Sequence, residues 1–226
     1  MARKKRIWYP GATYHVMSRG NRRVAIYNDQ ADYMWFLYYI QKIKEIHPFK
    51  IHSICLMTNH FHALIETEGA ELWKIMQKIL SVYAEAYNHR HSFTGHLFEG
   101  RYVAQLVEDE RYFLEASRYI HLNPVKAQMV RGPLDYEYSS YGLFVNDIQD
   151  SEPDNRKFDI NHGETRISAL IKDLVNTDRV LNAFHHNNRA VFRKEALLWR
   201  FFVLNSAEQY GIILQSMGFR HTNACM

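Results

Sequence analysis

The stretch KIHSICLMTNHFHALIE, residues 50–66, holds two apolar runs separated by the polar pair Thr58-Asn59. Each run is short and rich in bulky or β-branched residues, so the segment predicts two strands joined by a tight turn. In a strand, side chains two residues apart share a face, with their Cα atoms about 6.5 Å apart. His60 and His62 then point together, Phe61 points to the opposite face, and two imidazoles so placed can converge on one ion. The plainer reading is a partly buried strand histidine beside a surface one, and spacing alone leaves both open. The chain supplies its own contrast in His89 and His91. They fall at the end of a helical stretch, where positions i and i+2 diverge by about 200°, and they read as a solvated basic loop.

Working outward, ATYHVMSRG (12–20) is β-rich and ends on a glycine, as a first strand would. Residues 30–46 carry bulky apolar residues at helical spacing and stop before Pro48. Residues 71–90 form a strong amphipathic pattern, apolar at 72, 75, 76, 79 and 83. RYVAQLV (101–107) reads as a strand and DERYFLEASRYIHL (109–122) as a helix opening with acids in its first turn. The order β-α-β-β-α-β-α predicts an α+β fold, an antiparallel sheet with helices packed on it. Residues 1–145 make up this unit. A polar stretch, 146–165, reads as a linker, and 166–226 as a small helical C-terminal module.

Composition sets the class. The chain has 226 residues, of which 47% are hydrophobic and 23% charged, as in a globular protein. Its 15 tyrosines mean that no tyrosine is informative merely by being present. A net charge of +4 is compatible with a polyanionic partner. Cys55 and Cys225 lie in an apolar run and at the far end of the chain, which suggests no disulfide framework and makes a reducing cytoplasm the expectation. The basic opening MARKKRIWYP runs into Pro10 and Gly11 instead of an apolar core, unlike a signal peptide. The longest apolar run, 34–40, is far too short to span a membrane.

Two other patterns lose their appeal on inspection. His60-x-His62-x3-Glu66 fits the first half of a cupin metal motif, but the strand count and second motif of that barrel are missing. GHLFEGRY (95–102) has phosphate-loop glycine spacing, yet Arg101 and Tyr102 stand where lysine and a hydroxyl residue would hold phosphate and magnesium. A nucleotide site is not expected there.

SRYIHLNPVKA (117–127) places Tyr119 and Asn123 four apart, on one helix face. A phenol is ionised to only about one part in a thousand at neutral pH, so a nucleophilic tyrosine needs a proton acceptor or a metal that stabilises charge on its target. The Asn123 amide oxygen has the reach to add a ligand to a two-histidine metal site. The competing reading makes Tyr119 a core residue, with Asn123 and Pro124 as N-cap and first residue of a new helix. Tyr112, with Glu115 three residues on, competes equally as nucleophile.

MTNHFHALIE, GHLFEGRY and RYIHLNPVKAQMV, in that order, resemble the REP-associated tyrosine transposases, single-tyrosine members of the HUH superfamily named for a histidine–hydrophobe–histidine motif. YHVMSRGNRR (14–23) and YEYSSYG (136–142) extend the resemblance over roughly residues 7 to 145. The resemblance implies metal ligation by His60 and His62, completed by Asn123, with Mg²⁺ or Mn²⁺ as the ion and Tyr119 as the nucleophile. It implies cleavage and rejoining of single-stranded, hairpin-forming repeat DNA through a 5′-phosphotyrosine, with no nucleotide cofactor and no membrane partner. Arg3, Lys4, Lys5, Arg6, Arg19, Arg22 and Arg23 are then candidates to hold the DNA backbone, their alternative being a solvated terminus and turn. A monomer in the nucleoid is expected, with a dimer as the alternative. Thr58, Gln128 and Tyr138 depart from the family pattern, where proline, glycine and tryptophan are common. Two other classes stay in view: a domesticated hairpin-binding protein without turnover, and a small-molecule metallohydrolase, which would need more acidic or histidine ligands.

Overall fold

The computed structural model describes residues 7–149 and 166–186. Arg3, Lys4, Lys5, Arg6 and Cys225, most of the expected linker, and the C-terminal module beyond residue 186 lie outside the described residues. Four strands, β1 (Thr13–Arg19), β2 (Phe49–Met57), β3 (His60–Thr67) and β4 (Val103–Leu106), form one sheet in the order β2-β3-β1-β4. Every neighbouring pair is antiparallel. Helices α1 (Gln30–Ile46), α2 (Leu72–His91), α3 (Glu110–Lys126), α4 (Tyr141–Gln149), α5 (Arg166–Leu174) and α6 (Asp178–His186) complete the α+β architecture. No helix among the described residues is long and apolar enough to cross a membrane.

The pleat of β3 divides the molecule into two layers. Phe61 meets Phe36 of α1 at a ring distance of 4.9 Å, and Phe36 meets Tyr83 of α2 at the same distance. The α1–α2 layer presents Phe36, Leu37, Ile40, Ile75, Met76 and Ile79, all buried at helical spacing. On the other face lies α3. There Ser53 and Ser117 share a hydroxyl hydrogen bond of 2.7 Å, and the His52 ring packs on Phe113. His52 is the extra residue of a β-bulge between Ile51 and Ser53, which is how adjacent residues both come to face α3.

Two-residue hairpins favour left-handed turn residues, but neither Thr58 nor Asn59 has positive φ. The turn is held from outside instead: Ile26 and Tyr27 donate to the Thr58 carbonyl, and Gly20 donates to that of Asn59. Gly20 has to be glycine, because a Cβ there would lie 2.2 Å from the Val24 carbonyl oxygen. GHLFEGRY braces the same region: Asn21 donates to the Leu97 carbonyl and Glu99 to that of Arg19.

Several boundaries differ from those read in the sequence. α4 continues to Gln149, past the expected start of the linker at 146. α5 and α6 add Ile167, Ile171, Leu174 and Val180 to the same core as the sheet. The outer edge of β2 is covered twice, by residues 138–140 and by 175–176, through single bridges and backbone hydrogen bonds. Arg179 of α6 reaches Glu66 at 3.1 Å and the Thr13 hydroxyl at 2.9 Å, with its guanidinium 4.1 Å from the Phe113 ring centre. His91 is no solvated residue: it bonds buried Asp32 at 2.9 Å beside Arg90, tying the end of α2 to the start of α1. His89 is exposed, so the pair does diverge.

The largest difference is at Pro124. No new helix starts there; α3 runs through it to Lys126, so Asn123 is a residue within the last turns and not an N-cap. The helix then closes with a Schellman motif, in which Gln128 donates to the Val125 carbonyl and Met129 to that of Pro124. Gln128 has φ 56°, in the left-handed region that glycine enters without steric penalty. The departure from glycine at this position is therefore a strained one. Gln128→Gly should raise stability by about 1 kcal/mol, since the side-chain clash outweighs the extra chain entropy of glycine. Urea unfolding of the two proteins measures it; an equal or lower midpoint for the variant would contradict the account.

Candidate active site

Tyr119 stands on a helix with a clear start. The Asp109 side chain caps α3 by accepting from the Tyr112 N–H at 2.6 Å, and Phe113, Ala116 and Ile120 face the core. That orientation brings Tyr119 over the strand histidines. Its ring centre is 5.4 Å from that of His62, and the His60 and His62 rings are 5.1 Å apart. Two imidazoles bound to one ion through nitrogens about 2.1 Å away would have ring centres about 4.5–5 Å apart. The strand geometry thus brings His60, His62 and Tyr119 together. Among the described residues the tyrosine ring in contact with this pair is that of Tyr119 and not that of Tyr112. Asn123, one turn beyond Tyr119, donates from Nδ2 to the Tyr119 carbonyl at 2.8 Å, which leaves its Oδ1 as the polar atom not committed to the helix.

His15 was not singled out in the sequence. It lies on β1, fully buried, with Nε2 3.1 Å from His62 Nδ1 and its ring 5.6 Å from Tyr119. A lone histidine in TYHVMSR carries no spacing signal; only the β1–β3 register, with Met17 opposite His62 and His15 opposite Leu64, brings it in. Its bond leaves Nε2 of His62 as the nitrogen that can face an ion. Lys126 was missed as well. Its ammonium sits 4.7 Å from the Tyr119 ring centre.

The electrostatics favour neutral bases beside fixed positive charge. Burial, helped by Arg19, lowers the pKa of His60 to about 4. Burial alone takes His15 to about 3. His62 lies well below the ordinary range through burial and then through its neighbours His60, His15, Arg19 and Lys126. Burial raises the Tyr119 phenol, while Arg19 opposes that rise. Lys126 is lowered to about 8, chiefly by burial and then by Arg118, with Glu115 acting the other way. Arg19 ends β1 directly opposite His60 in the register. Arg22 and Arg23 follow in an exposed 3₁₀ turn, both with positive φ.

Among the described residues, no group of three His, Cys, Asp or Glu side chains is arranged to hold a metal ion. The nitrogens of the pair not engaged by Asn59 or His15 are Nε2 of His60 and Nε2 of His62, and the Asn123 amide stands one turn along α3 from Tyr119. Two neutral imidazoles could hold a divalent ion there only together with further donors.

Residues 9–123 match the family model described as Transposase IS200 like, and the chain belongs to that family. The match takes in both histidines, Tyr119 and Asn123. Among solved structures, that of a REP-associated tyrosine transposase bound to a REP hairpin is similar in fold, with a TM-score of 0.56 and 21% identity over 65% of this chain and 86% of that one. A transposase from Deinococcus radiodurans R1 is 15% identical at a TM-score of 0.37, over 53% of this chain and 95% of that one. No curated protein matches the chain.

Two measurements test the site as physical structure. His15 and His60 have folded pKa values of about 3 and about 4 against 6.5 in the unfolded chain. The unfolded state therefore takes up protons first, so stability is full above about pH 6.5 and falls progressively toward pH 4. Urea midpoints across that window should decline, and His15→Asn should reduce the slope; a slope unchanged in the variant would count against the buried neutral histidine. Tyr119 has no hydroxyl hydrogen bond among the described residues, so Tyr119→Phe should change stability by less than about 0.5 kcal/mol. Tyr136→Phe, which removes a 2.8 Å bond to the Leu56 carbonyl, should cost about 1–3 kcal/mol. Equal losses in the two variants would contradict this assignment.

Proposed function

We propose that this protein cuts and rejoins single-stranded, hairpin-forming repeat DNA, with Tyr119 as the nucleophile. The observation that carries the reading is the placement of Tyr119 against two histidines that share one face of β3, with rings 5.1 and 5.4 Å apart. Membership of a transposase family supports it, and so does the fold-level likeness to a transposase bound to a REP hairpin.

In this reading His60, His62 and Asn123 hold Mg²⁺ or Mn²⁺. When bound, the ion polarises the scissile phosphate. The Tyr119 oxygen attacks phosphorus in line, a phosphorus–oxygen bond to the phenol forms, and the bond to the 3′ oxygen breaks. The phenol proton leaves and the departing 3′ oxygen gains one. DNA is then joined through its 5′ phosphate to Tyr119, and a free 3′ hydroxyl remains. One phosphodiester replaces another, so rejoining reverses the step with no nucleotide cofactor. Burial keeps the phenol protonated, and the positive charge of Arg19 and Lys126 then stabilises negative charge as it develops on the phenol and phosphate. Arg19, Arg22 and Arg23 flank the histidines and would take backbone phosphates. The competing reading, a binding protein without turnover, is an outcome of the same test.

The test is incubation of the protein with hairpin-bearing single-stranded DNA and Mn²⁺, followed by a denaturing gel. A covalent adduct is expected, mapping to the peptide that contains Tyr119. Tyr119→Phe should lose cleavage at least 10³-fold, a loss of the order expected for an essential group, yet bind the hairpin nearly as before. His60→Ala and His62→Ala should lose Mn²⁺ binding and cleavage together, and His89→Ala should lose neither. An adduct on Tyr112, or cleavage by Tyr119→Phe, would overturn the assignment. Hairpin binding with no adduct from the unaltered protein would favour binding without turnover.

A further inference from the structure

We propose that Asn59 is a positioning residue of the metal site: it fixes which nitrogen of His60 carries hydrogen and holds that ring in one frame with the Arg22–Arg23 turn. The inference rests on reading His60 as a ligand. It begins from a hydrogen-bond constraint. Asn59 is the second residue of the turn between β2 and β3, and its side-chain amide reaches two ways. Nδ2 donates to the Arg23 carbonyl at 3.2 Å, and Oδ1 lies 2.7 Å from His60 Nδ1.

The two contacts determine each other. A backbone carbonyl can only accept, so the amide face toward Arg23 must be its NH₂ group, which puts Oδ1 toward His60. An amide oxygen also only accepts, so the hydrogen of that second bond belongs to His60 Nδ1. A neutral imidazole carries a single N–H, which leaves the lone pair on Nε2. That is the nitrogen able to face an ion shared with His62. A ligand histidine whose other nitrogen donates to an oxygen is fixed in ring orientation and made a better donor to metal. Here the neighbouring residue in sequence supplies that oxygen.

The arginine side of the amide is also constrained. Arg22 and Arg23 are consecutive non-glycine residues with φ of 51° and 61°, and their conformation sets where the Arg23 carbonyl points. The Asn59 carbonyl accepts from Gly20, the residue that opens the same turn, so backbone and side chain of Asn59 grip it together. The amide thereby spans from a turn that presents two exposed guanidinium groups to a ring at the chemical centre. A displacement of Arg23 by a bound phosphate would be felt at His60 through two hydrogen bonds.

Nitrogen-resolved NMR of the imidazoles in metal-free protein, with Mn²⁺ binding measured separately by calorimetry, tests the assignment. The hydrogen of His60 is expected on Nδ1. Asn59→Ala should shift it toward Nε2 and weaken Mn²⁺ binding about 10–100-fold. Asn59→Asp keeps an accepting oxygen and should retain the Nδ1 hydrogen and an affinity no weaker than a few-fold below the unaltered protein, a rescue that a merely structural role would not produce. His60 carrying its hydrogen on Nε2 in the unaltered protein would overturn the proposal. So would an Asn59→Ala protein with unchanged tautomer and affinity, or an Asn59→Asp protein as impaired as Asn59→Ala. Should Asn59→Ala fail to fold, the tautomer of the unaltered protein and the behaviour of Asn59→Asp still decide. An unaltered protein that binds no Mn²⁺ would remove the metal reading of the site, while the tautomer and its response to Asn59→Ala would still settle what Asn59 does to His60.

Discussion

The pleat of β3 is the constraint on which the rest of the structure depends. Consecutive side chains of a strand go to opposite faces, so Phe61 can anchor the α1–α2 layer only if His60 and His62 go to the α3 side. Slipping the strand by one residue would push both imidazoles into an apolar layer and expose the phenylalanine to the tyrosine helix. Core packing against Phe36 and Tyr83 therefore enforces the aim of the two histidines. Stability and site geometry are set by the same register.

The site departs from the usual use of buried charge. Its bases are neutral through burial, while positive charge enters from its rim, from Arg19 at the end of β1 and Lys126 at the end of α3. Such a centre is poorly suited to holding a proton but well suited to receiving a polyanion, because the incoming phosphate supplies the missing negative charge. The outer supports follow the same logic: His15 and Asn59 each engage the Nδ1 side of a histidine and leave the far nitrogen turned to the centre.

Much of the fold was legible in the sequence because its elements obey strong local rules. α1 occupies the range expected, stopping before Pro48, and the two strands around Thr58-Asn59 fall within a residue of their expected limits. The pairing of His60 with His62 was readable for the same reason, since strand periodicity is local. Tyr119 was not readable from spacing alone, because Tyr112 shares its helix and only tertiary docking separates the two. His15 lay beyond reach: it joins His62 across 47 residues of sequence through a register that no local pattern encodes. Pro124 misled in a different way. The Asn-Pro pair is a strong local signal for a helix start, yet the continuing packing of α3 on β2 and the Schellman closure after Lys126 override it. The C-terminal stretch read as a separate module, whereas 167–180 contributes to the common core through Ile167, Ile171 and Val180.

The order of strands in the sheet has a consequence for the time course of folding. β1 is made first in the chain but sits between β3 and β4, so its pairings close only after residues near 66 and then 106 exist. The tyrosine helix follows later still, and its contact with His62 spans a long chain loop whose closure is slow compared with local helix formation. A chain not yet folded that far consequently holds its histidine pair without Tyr119 beside it. The juxtaposition of the strand histidines with the tyrosine helix therefore requires the whole chain from β1 to α3, however early the histidine pair itself is aligned on β3.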